Sequence, residues 1–126
     1  MDKEFISYEE ALILKELGFN EPCFGYYRDS DGQLFPYTYY EGQFDDLTLA
    51  PLYQQAFRWF REKYKIWGTP EPTGSWRYAV VFRMEDDKGK HNNGYLRENG
   101  EIRFYDTYEE AELDCLRKII EIVKDR

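Results

Sequence analysis

The chain has 126 residues, a formal net charge of −8 and 42 % apolar residues. This length is typical of one ordinary domain and suffices for a core without metal or disulfide support, so we expect a single domain over residues 1–126. The acidic balance disfavours direct nucleic-acid binding, which depends on phosphate neutralisation by lysine and arginine, and it disfavours docking on anionic lipid.

No apolar run is long enough to cross a membrane. The first residues lack the basic and apolar regions of a signal peptide. Cys23 and Cys115 lie far apart in the sequence and form no disulfide framework. We therefore predict a cytoplasmic protein with two buried thiols, and a single bridge between them stays as the alternative.

The first predicted elements are a helix and a hairpin. Ser7 and Glu10 have the spacing of a capping box, and Gly18 is a C-terminal stop, which predicts a helix over about 8–17. A short aromatic strand over 24–28, a turn at 29–32 and an alternating strand over 33–40 follow. Pro36 has no N–H for a ladder, so the second strand should lie at an edge.

A loop, a helix and a linker follow along the chain. Residues 41–46 are predicted to be loop, and residues 51–65 form an amphipathic pattern typical of a helix with Pro51 in its first turn. The prolines and glycines of 68–74 indicate a stiff linker that is neither helix nor strand.

The last third of the chain predicts three strands and a helix. Residues 76–84 alternate, with Trp76, Val80 and Phe82 on the face that should be buried and Arg83 on the other. Residues 85–94 are predicted to be a polar loop, and the Asn-Gly pair at 99–100 indicates a hairpin between 95–97 and 101–105. A second capping box, Thr107 with Glu110, begins the final helix.

The predicted order is α-ββ-α-βββ-α. Connections within each group of strands are too short for parallel crossovers. We therefore predict an α+β fold with a mainly antiparallel sheet and helices packed on one face.

Candidate catalytic and metal-binding residues are few. His91 is the single histidine, and no other ligand lies near it at the spacing of a zinc site. Asp29 and Asp31 have the spacing that begins a calcium loop, but the closing glutamate is missing and a turn is favoured. Cys23 has no local histidine to activate it. We predict no catalytic residue, metal or cofactor, although an enzyme with a dispersed signature stays open.

The tyrosine-rich hairpin is the strongest functional candidate in the sequence. Its rings occupy both parities of their strands, so they either fill a two-sided core or leave a face of exposed tyrosines. Exposed tyrosines favour protein recognition. The predicted binding residues of the hairpin and its acidic loop are Tyr26, Tyr27, Tyr37, Tyr39, Tyr40, Asp45 and Asp46.

Three alternatives to a protein-binding hairpin stay open. One is a small-molecule or enzymatic pocket between the sheet and the second helix, with aromatic walls and a few carboxylates. Another is an acidic mimic of nucleic acid, of phage origin, that occupies a basic host protein. The third is a homodimer formed through the aromatic edge.

Three blocks of the sequence carry a resemblance to known proteins. The blocks are Ile6-Ser7-Tyr8-Glu9-Glu10-Ala11-Leu12 continued by residues 17–27, Tyr53-Gln54-Gln55-Ala56-Phe57-Arg58-Trp59-Phe60 continued to 64, and Tyr108-Glu109-Glu110-Ala111-Glu112-Leu113. They resemble a group of small uncharacterised proteins from anaerobic gut bacteria and their phages or other mobile elements. The resemblance implies a cytoplasmic protein with a mobile-element origin and no particular mechanism.

Overall fold

The computed structural model describes residues 2–36, 46–86 and 88–126. The chain divides into two compact units, the N-terminal unit Met1–Ala56 and the C-terminal unit Phe57–Arg126. Each unit combines helix with antiparallel sheet, which confirms the α+β class. That the chain is one domain stays a prediction.

The described residues of the N-terminal unit form a helix packed against an antiparallel sheet, followed by the start of a second helix. After a 3-10 turn at Asp2–Glu4 come α1 (Tyr8–Glu16), β1 (Gly25–Arg28), β2 (Gln33–Pro36) and β3 (Leu47–Ala50). The strand order is β2-β1-β3, with both pairs antiparallel. α1 packs against β3. The predicted hairpin is therefore confirmed as far as it is described, and Pro36 ends an edge strand as expected.

The two ends of α1 differ in how well the sequence predicted them. Gly18 adopts a φ of 98°, and the amides of Gly18 and Phe19 donate to the carbonyls of Lys15 and Leu14. This is a Schellman motif, so the predicted stop is confirmed. The predicted capping box is wrong at its first residue, because Ser7 occupies the N-cap position but its hydroxyl accepts no cap hydrogen bond.

β3 is absent from the predicted order. Its four residues directly follow the predicted loop, and their pattern of two leucines around Thr48 is too short to predict a strand. The segment is a strand because it pairs antiparallel with β1, where Tyr27 lies opposite Thr48. Residues 37–45, which include the rest of the predicted second strand, lie outside the described residues.

The C-terminal unit holds most of α2 (Tyr53–Tyr64), which begins at the end of the N-terminal unit, and a sheet of order β4-β5-β6. These strands are β4 (Ile66–Pro72), β5 (Tyr78–Glu85) and β6 (His91–Tyr95). A ribbon of β7 (Arg97–Glu98) and β8 (Glu101–Ile102) precedes α3 (Tyr108–Lys124). α3 packs against β4 and β5.

The predicted linker at 68–74 is wrong, because β4 runs through it. β4 is an edge strand, where a missing proline N–H costs little, and the side chains of Ile66 and Pro70 are buried on its inner face. Gly68 lies between them, under α3. Prolines that indicate a break in secondary structure are therefore compatible with an edge strand, because such a strand pairs with a neighbouring strand on one side only.

The predicted loop at 85–94 is also wrong over its second half. β6 pairs with β5 in antiparallel register, with His91 opposite Glu85. His91 is exposed, as expected, but it lies on a strand. All five residues of β6 are exposed, so it has no buried face whose apolar alternation could have indicated a strand.

Trp76 lies outside β5 and is not a core residue. It is 95 % exposed and has a φ of 61° in the turn between β4 and β5. Val80 and Phe82 are buried as predicted. The predicted hairpin at Asn99 and Gly100 is confirmed, since both residues have positive φ, as a type I′ turn requires.

α3 begins as the sequence predicts. The Thr107 hydroxyl accepts from the Glu110 amide at 3.2 Å, and the apolar stripe that includes Cys115, Leu116 and Ile119 is buried. None of the described helices is both long and apolar enough to cross a membrane.

Candidate functional site

The described part of the tyrosine hairpin does not gather its predicted residues into one site. Tyr27 is 7 % exposed and donates to the Ile6 carbonyl at 2.5 Å. Tyr26 is half-buried and stacks on Phe35, with ring centroids 5.2 Å apart. Asp46 is exposed. Tyr37, Tyr39, Tyr40 and Asp45 lie outside the described residues.

The two carboxylates of the predicted turn are engaged by protein donors. Asp29 Oδ1 accepts from the hydroxyls of Tyr8 at 2.9 Å and Thr48 at 2.6 Å. Asp31 is paired with Arg28, which donates to both carboxylate oxygens. These hydrogen bonds, with one from the Gln33 amide, lower the pKa of Asp31 to about 2. Asp31 thus holds the turn to the strands on either side of it, and Asp29 ties it to α1 and β3.

Neither thiol has the environment of a nucleophile. Both cysteines are free, which answers the open question of a bridge. Burial, and then the charge of Glu21, raise the pKa of the half-buried Cys23 to about 12. Burial raises the pKa of Cys115 as well, and this thiol is fully buried on the face of α3 that packs against the sheet. A reactive cysteine needs a lowered pKa and access.

The feature with the most distinctive chemistry is a groove of about 380 Å³ in the C-terminal unit. It lies between the end of α2 and the sheet. Glu85 is the acidic residue in its lining. We call it the cationic groove and define it by Arg61, Lys65, Trp67, Arg83, His91 and Asn93.

Strand register brings these side chains together. Trp67 lies opposite Arg83, which in turn lies opposite Asn93, so the three form one row across β4, β5 and β6. A Cβ at Gly68 would point at Cys115 of α3. Because successive side chains alternate between faces, Trp67 and its row lie on the face away from α3. There Trp67 is 52 % exposed.

The groove holds cations without carboxylate partners. The guanidinium carbons of Arg61 and Arg83 lie 5.7 and 5.9 Å from the Trp67 ring centroid. Neither guanidinium, nor the Lys65 ammonium, makes an ion pair or hydrogen bond within residues 2–36, 46–86 and 88–126.

Other arginines of this unit are satisfied. Arg77 pairs with Asp106 at 3.5 Å, and Arg103 pairs with Glu98 at 3.1 Å. An arginine carries five donors and usually finds acceptors for them. Arg61 and Arg83 thus lie beside one indole with guanidinium donors that no described residue accepts from.

Lys65 adopts a backbone conformation that favours glycine. Its φ is 59°, while its amide donates to the Arg61 carbonyl and its carbonyl accepts from Glu85. A non-glycine residue in the left-handed region costs of order 1 kcal/mol. Backbone strain of this kind clusters at functional sites, and here it accompanies a cation in the groove lining.

Sequence reasoning did not identify the groove. The sequence predicts the amphipathic helix over 51–65 that carries Arg61 and Lys65, and it predicts Arg83 on the face of its strand opposite the buried one. The prolines after Trp67 indicate a linker, so the sequence places Trp67 in no strand. The alternation of Trp67, Thr69 and Glu71 is the available signal for a strand at 66–72, but only the strand register brings Trp67 beside Arg83.

The chain was compared with protein-family models, with curated proteins and with solved structures. None of the three comparisons finds a match.

Proposed function

We propose that this protein binds a small anionic ligand in the cationic groove. The observation that carries the proposal is the convergence of Arg61, Lys65 and Arg83, all without an acidic partner among the described residues, around the exposed indole of Trp67. Charge-assisted hydrogen bonds from guanidinium groups are among the strongest in proteins, and their fork matches carboxylates and phosphates.

The size and charge of the groove define the class of ligand. Its volume of about 380 Å³ lies within the range of about 300–1,000 Å³ that is usual for small-molecule sites. Three permanent cations face one carboxylate, Glu85. A ligand with two or more negative charges is therefore favoured, such as a phosphate ester or a polycarboxylate. This location also agrees with the alternative of a pocket between sheet and second helix.

Titration calorimetry at low ionic strength tests the proposal, with inorganic phosphate, citrate and a nucleoside monophosphate as probes. We expect at least one probe to bind and its affinity to fall as salt rises, because the groove is open to solvent and its charges are screened. Arg83→Gln and Arg61→Gln should each weaken binding by about tenfold, which corresponds to the loss of one charge-assisted contact.

Lys124→Gln is the matched control, since it removes the same charge from an exposed position near the end of α3. It should leave the affinity within about twofold, a change smaller than that of either arginine variant. Equal losses in all three variants would mean nonspecific attraction and would contradict a site in the groove, as would the absence of binding by all three probes.

A protein partner for the N-terminal unit is a second proposal, and it rests on charge. This unit carries eleven acidic and three basic side chains, so the whole net charge of −8 belongs to it. Phe24, directly before β1, is 64 % exposed. An acidic surface with an exposed ring at the tyrosine hairpin favours a basic protein partner.

Affinity capture with the wild-type chain and with Phe24→Ser tests this second proposal. One stoichiometric basic partner, lost in the variant while the folded state persists, is the expected result. Release of that partner by duplex DNA would favour mimicry of nucleic acid, whereas indifference to DNA would favour an ordinary protein contact. Capture that does not depend on Phe24 would contradict a site at the hairpin.

A further inference from the structure

The outer edge of β6 has backbone groups available for pairing. The Leu96 amide donates to the Val80 carbonyl at 2.8 Å, and the Asp86 amide donates to the Lys90 carbonyl at 2.9 Å. In an antiparallel ladder, hydrogen-bonded and non-hydrogen-bonded pairs alternate. Even-numbered residues of β6 therefore bond to β5. The N–H and C=O groups of His91, Asn93 and Tyr95 point away from the sheet, and no described backbone group pairs with them.

A slot of about 330 Å³ lies beside this edge, on the α3 face of the sheet. Its apolar lining comes from Phe82, Met84, Leu96 and Ile122, and the basic side chains of Arg97 and Lys118 also line it. An exposed edge strand beside an apolar slot is the arrangement that peptide-binding domains use when a ligand adds as a further strand.

Gly94 is a second, independent indication that another backbone comes close to the outer edge of β6. It lies within β6 and lines the slot. A Cβ at this position would meet nothing within 4 Å, and Gly94 is not among the glycines with positive φ. Neither crowding within the described chain nor backbone conformation requires glycine there. Glycine inside a strand often marks a place where another backbone comes close.

We propose that β6 receives an extended acidic segment of a partner protein by strand addition. Alternate side chains of the added strand would face the cationic groove, and the intervening ones would enter the slot. The inference rests on the proposed function, because it identifies the anion of the groove as carboxylates carried on a peptide.

Spacing and charge both fit such a strand. Neighbouring strands lie about 4.8 Å apart, so an added strand would lie about 10 Å from β5. The short side chain of Asn93 separates Arg83 from the open edge. A glutamate on the added strand and the unpaired guanidinium of Arg83 can meet across it, while on the slot side Lys118 is already paired with Glu121 at 3.2 Å.

A second copy of this chain fits the edge less well. If two β6 strands paired with each other, the two cationic grooves would lie side by side on one face of the joined sheet. Like charges across an interface disfavour association. The edge of β6 therefore favours a partner strand in which acidic and apolar side chains alternate.

Fluorescence anisotropy with labelled octapeptides tests the proposal. The ligand probe alternates glutamate and valine, and the control probe alternates lysine and valine. The decisive pair of variants is Asn93→Pro and Asn93→Ala. Proline removes the outward N–H of residue 93 without touching the bonds to β5, and alanine removes the side chain alone. We expect only the glutamate peptide to bind, with an affinity at least about tenfold lower in Asn93→Pro than in Asn93→Ala, because both variants lose the side chain and only proline also loses the outward N–H.

Gly94→Leu keeps the test decisive if Asn93→Pro does not fold. A leucine at 94 has open space, and its side chain would occupy the slot, so it should reduce peptide affinity at least about tenfold while the thermal midpoint is maintained. Peptide binding that survives in both folded variants would overturn the proposal. A concentration-dependent dimer, measured by sedimentation and lost in the same variants, would also overturn it, because the edge would then belong to a second copy.

Citrate titrated in parallel separates this inference from the proposed function. Binding of both citrate and the glutamate peptide supports both. Citrate binding without peptide binding overturns strand addition alone and leaves the anion site intact. Absence of both overturns strand addition, and it contradicts the groove itself when phosphate and the nucleoside monophosphate also fail to bind.

Discussion

Gly68 illustrates how a single residue supports the core of the C-terminal unit. A Cβ at this position would lie 2.7 Å from Cys115 Sγ and 3.0 Å from Ile119 Cδ1 and Phe82 Cε1. All three neighbours are buried, so none can move aside easily. Glycine is therefore required here because α3 lies directly on β4, and not because of an unusual φ.

Gly68→Ala should lower the free energy of unfolding by about 1–3 kcal/mol, the usual cost of overpacking a core. Urea denaturation measures it. Gly94→Ala is the control, since its Cβ has open space and should cost nothing. Equal stability of the two variants would contradict the close contact between α3 and β4.

The lowered pKa of Asp31 predicts that its contribution to the free energy of unfolding depends on pH. Its pKa is about 2 in the folded protein against 3.8 for the ordinary carboxyl, owing first to the hydrogen bond from Arg28. A lowered folded pKa means that the contribution is present above about pH 4 and is lost as the pH falls through about 2. The difference in urea midpoint between wild type and Asp31→Asn should therefore shrink between pH 4 and pH 2. A constant difference over that range would contradict the pairing with Arg28.

At the scale of elements, two helix starts with the same sequence signature behave differently. Ser7 and Thr107 each precede a Tyr-Glu-Glu-Ala segment and both have extended N-cap geometry. The Thr107 hydroxyl accepts from the amide of Glu110, whereas the buried Ser7 hydroxyl has no partner among the described residues. A capping motif therefore predicts the helix boundary better than it predicts the hydrogen bond.

Thr107→Ala should destabilise the protein by about 1 kcal/mol, because an N-terminal amide of α3 loses its acceptor. Ser7→Ala should cost clearly less, since no cap bond is lost there. Thermal unfolding of the two variants measures the contrast. A larger loss in Ser7→Ala would mean that its hydroxyl is bonded in solution.

Edge strands account for most of the elements that the sequence did not predict. β4 contains two prolines and β6 has no buried face, so each lacks a usual strand pattern. Each is nevertheless ordered by pairing with β5, whose own alternation the sequence predicted well. The physical reason is that an edge strand needs hydrogen bonds on one side only. The cationic groove is lined by residues of both edge strands, so it could not be predicted before the strand register was known.

At the scale of the whole molecule, the charge is distributed very unevenly. The N-terminal unit carries the full −8, and the C-terminal unit has fourteen acidic and fourteen basic side chains. Whole-chain charge therefore gives no information about the C-terminal unit. The −8 charge that disfavours nucleic acid and anionic lipid therefore belongs to the N-terminal unit and not to the unit that carries the groove.

Added sodium chloride should raise the thermal midpoint by roughly 2–5 °C, because it screens repulsion among the acidic side chains of the N-terminal unit. Differential scanning calorimetry measures it. The same rise is expected in Arg83→Gln, which distinguishes screening from binding of chloride in the groove. A rise that disappears in Arg83→Gln would contradict the repulsion argument.

The sequence by itself determined the elements whose signals are local. The helix stop at Gly18, the Asn-Gly turn, the long helix behind Thr107 and the strand predicted over 76–84, observed at Tyr78–Glu85, all follow from patterns within a few residues, because backbone propensity and amphipathic spacing act at that range. The α+β class followed from their order.

Tertiary structure alone decided which side chains meet. Tyr27 became a core residue because β3, an unpredicted strand, pairs with β1. Arg61, Trp67 and Arg83 became one site because register places residues far apart in sequence in one row beside the end of α2. Long-range pairing is set by the sum of many weak contacts, which no local pattern encodes.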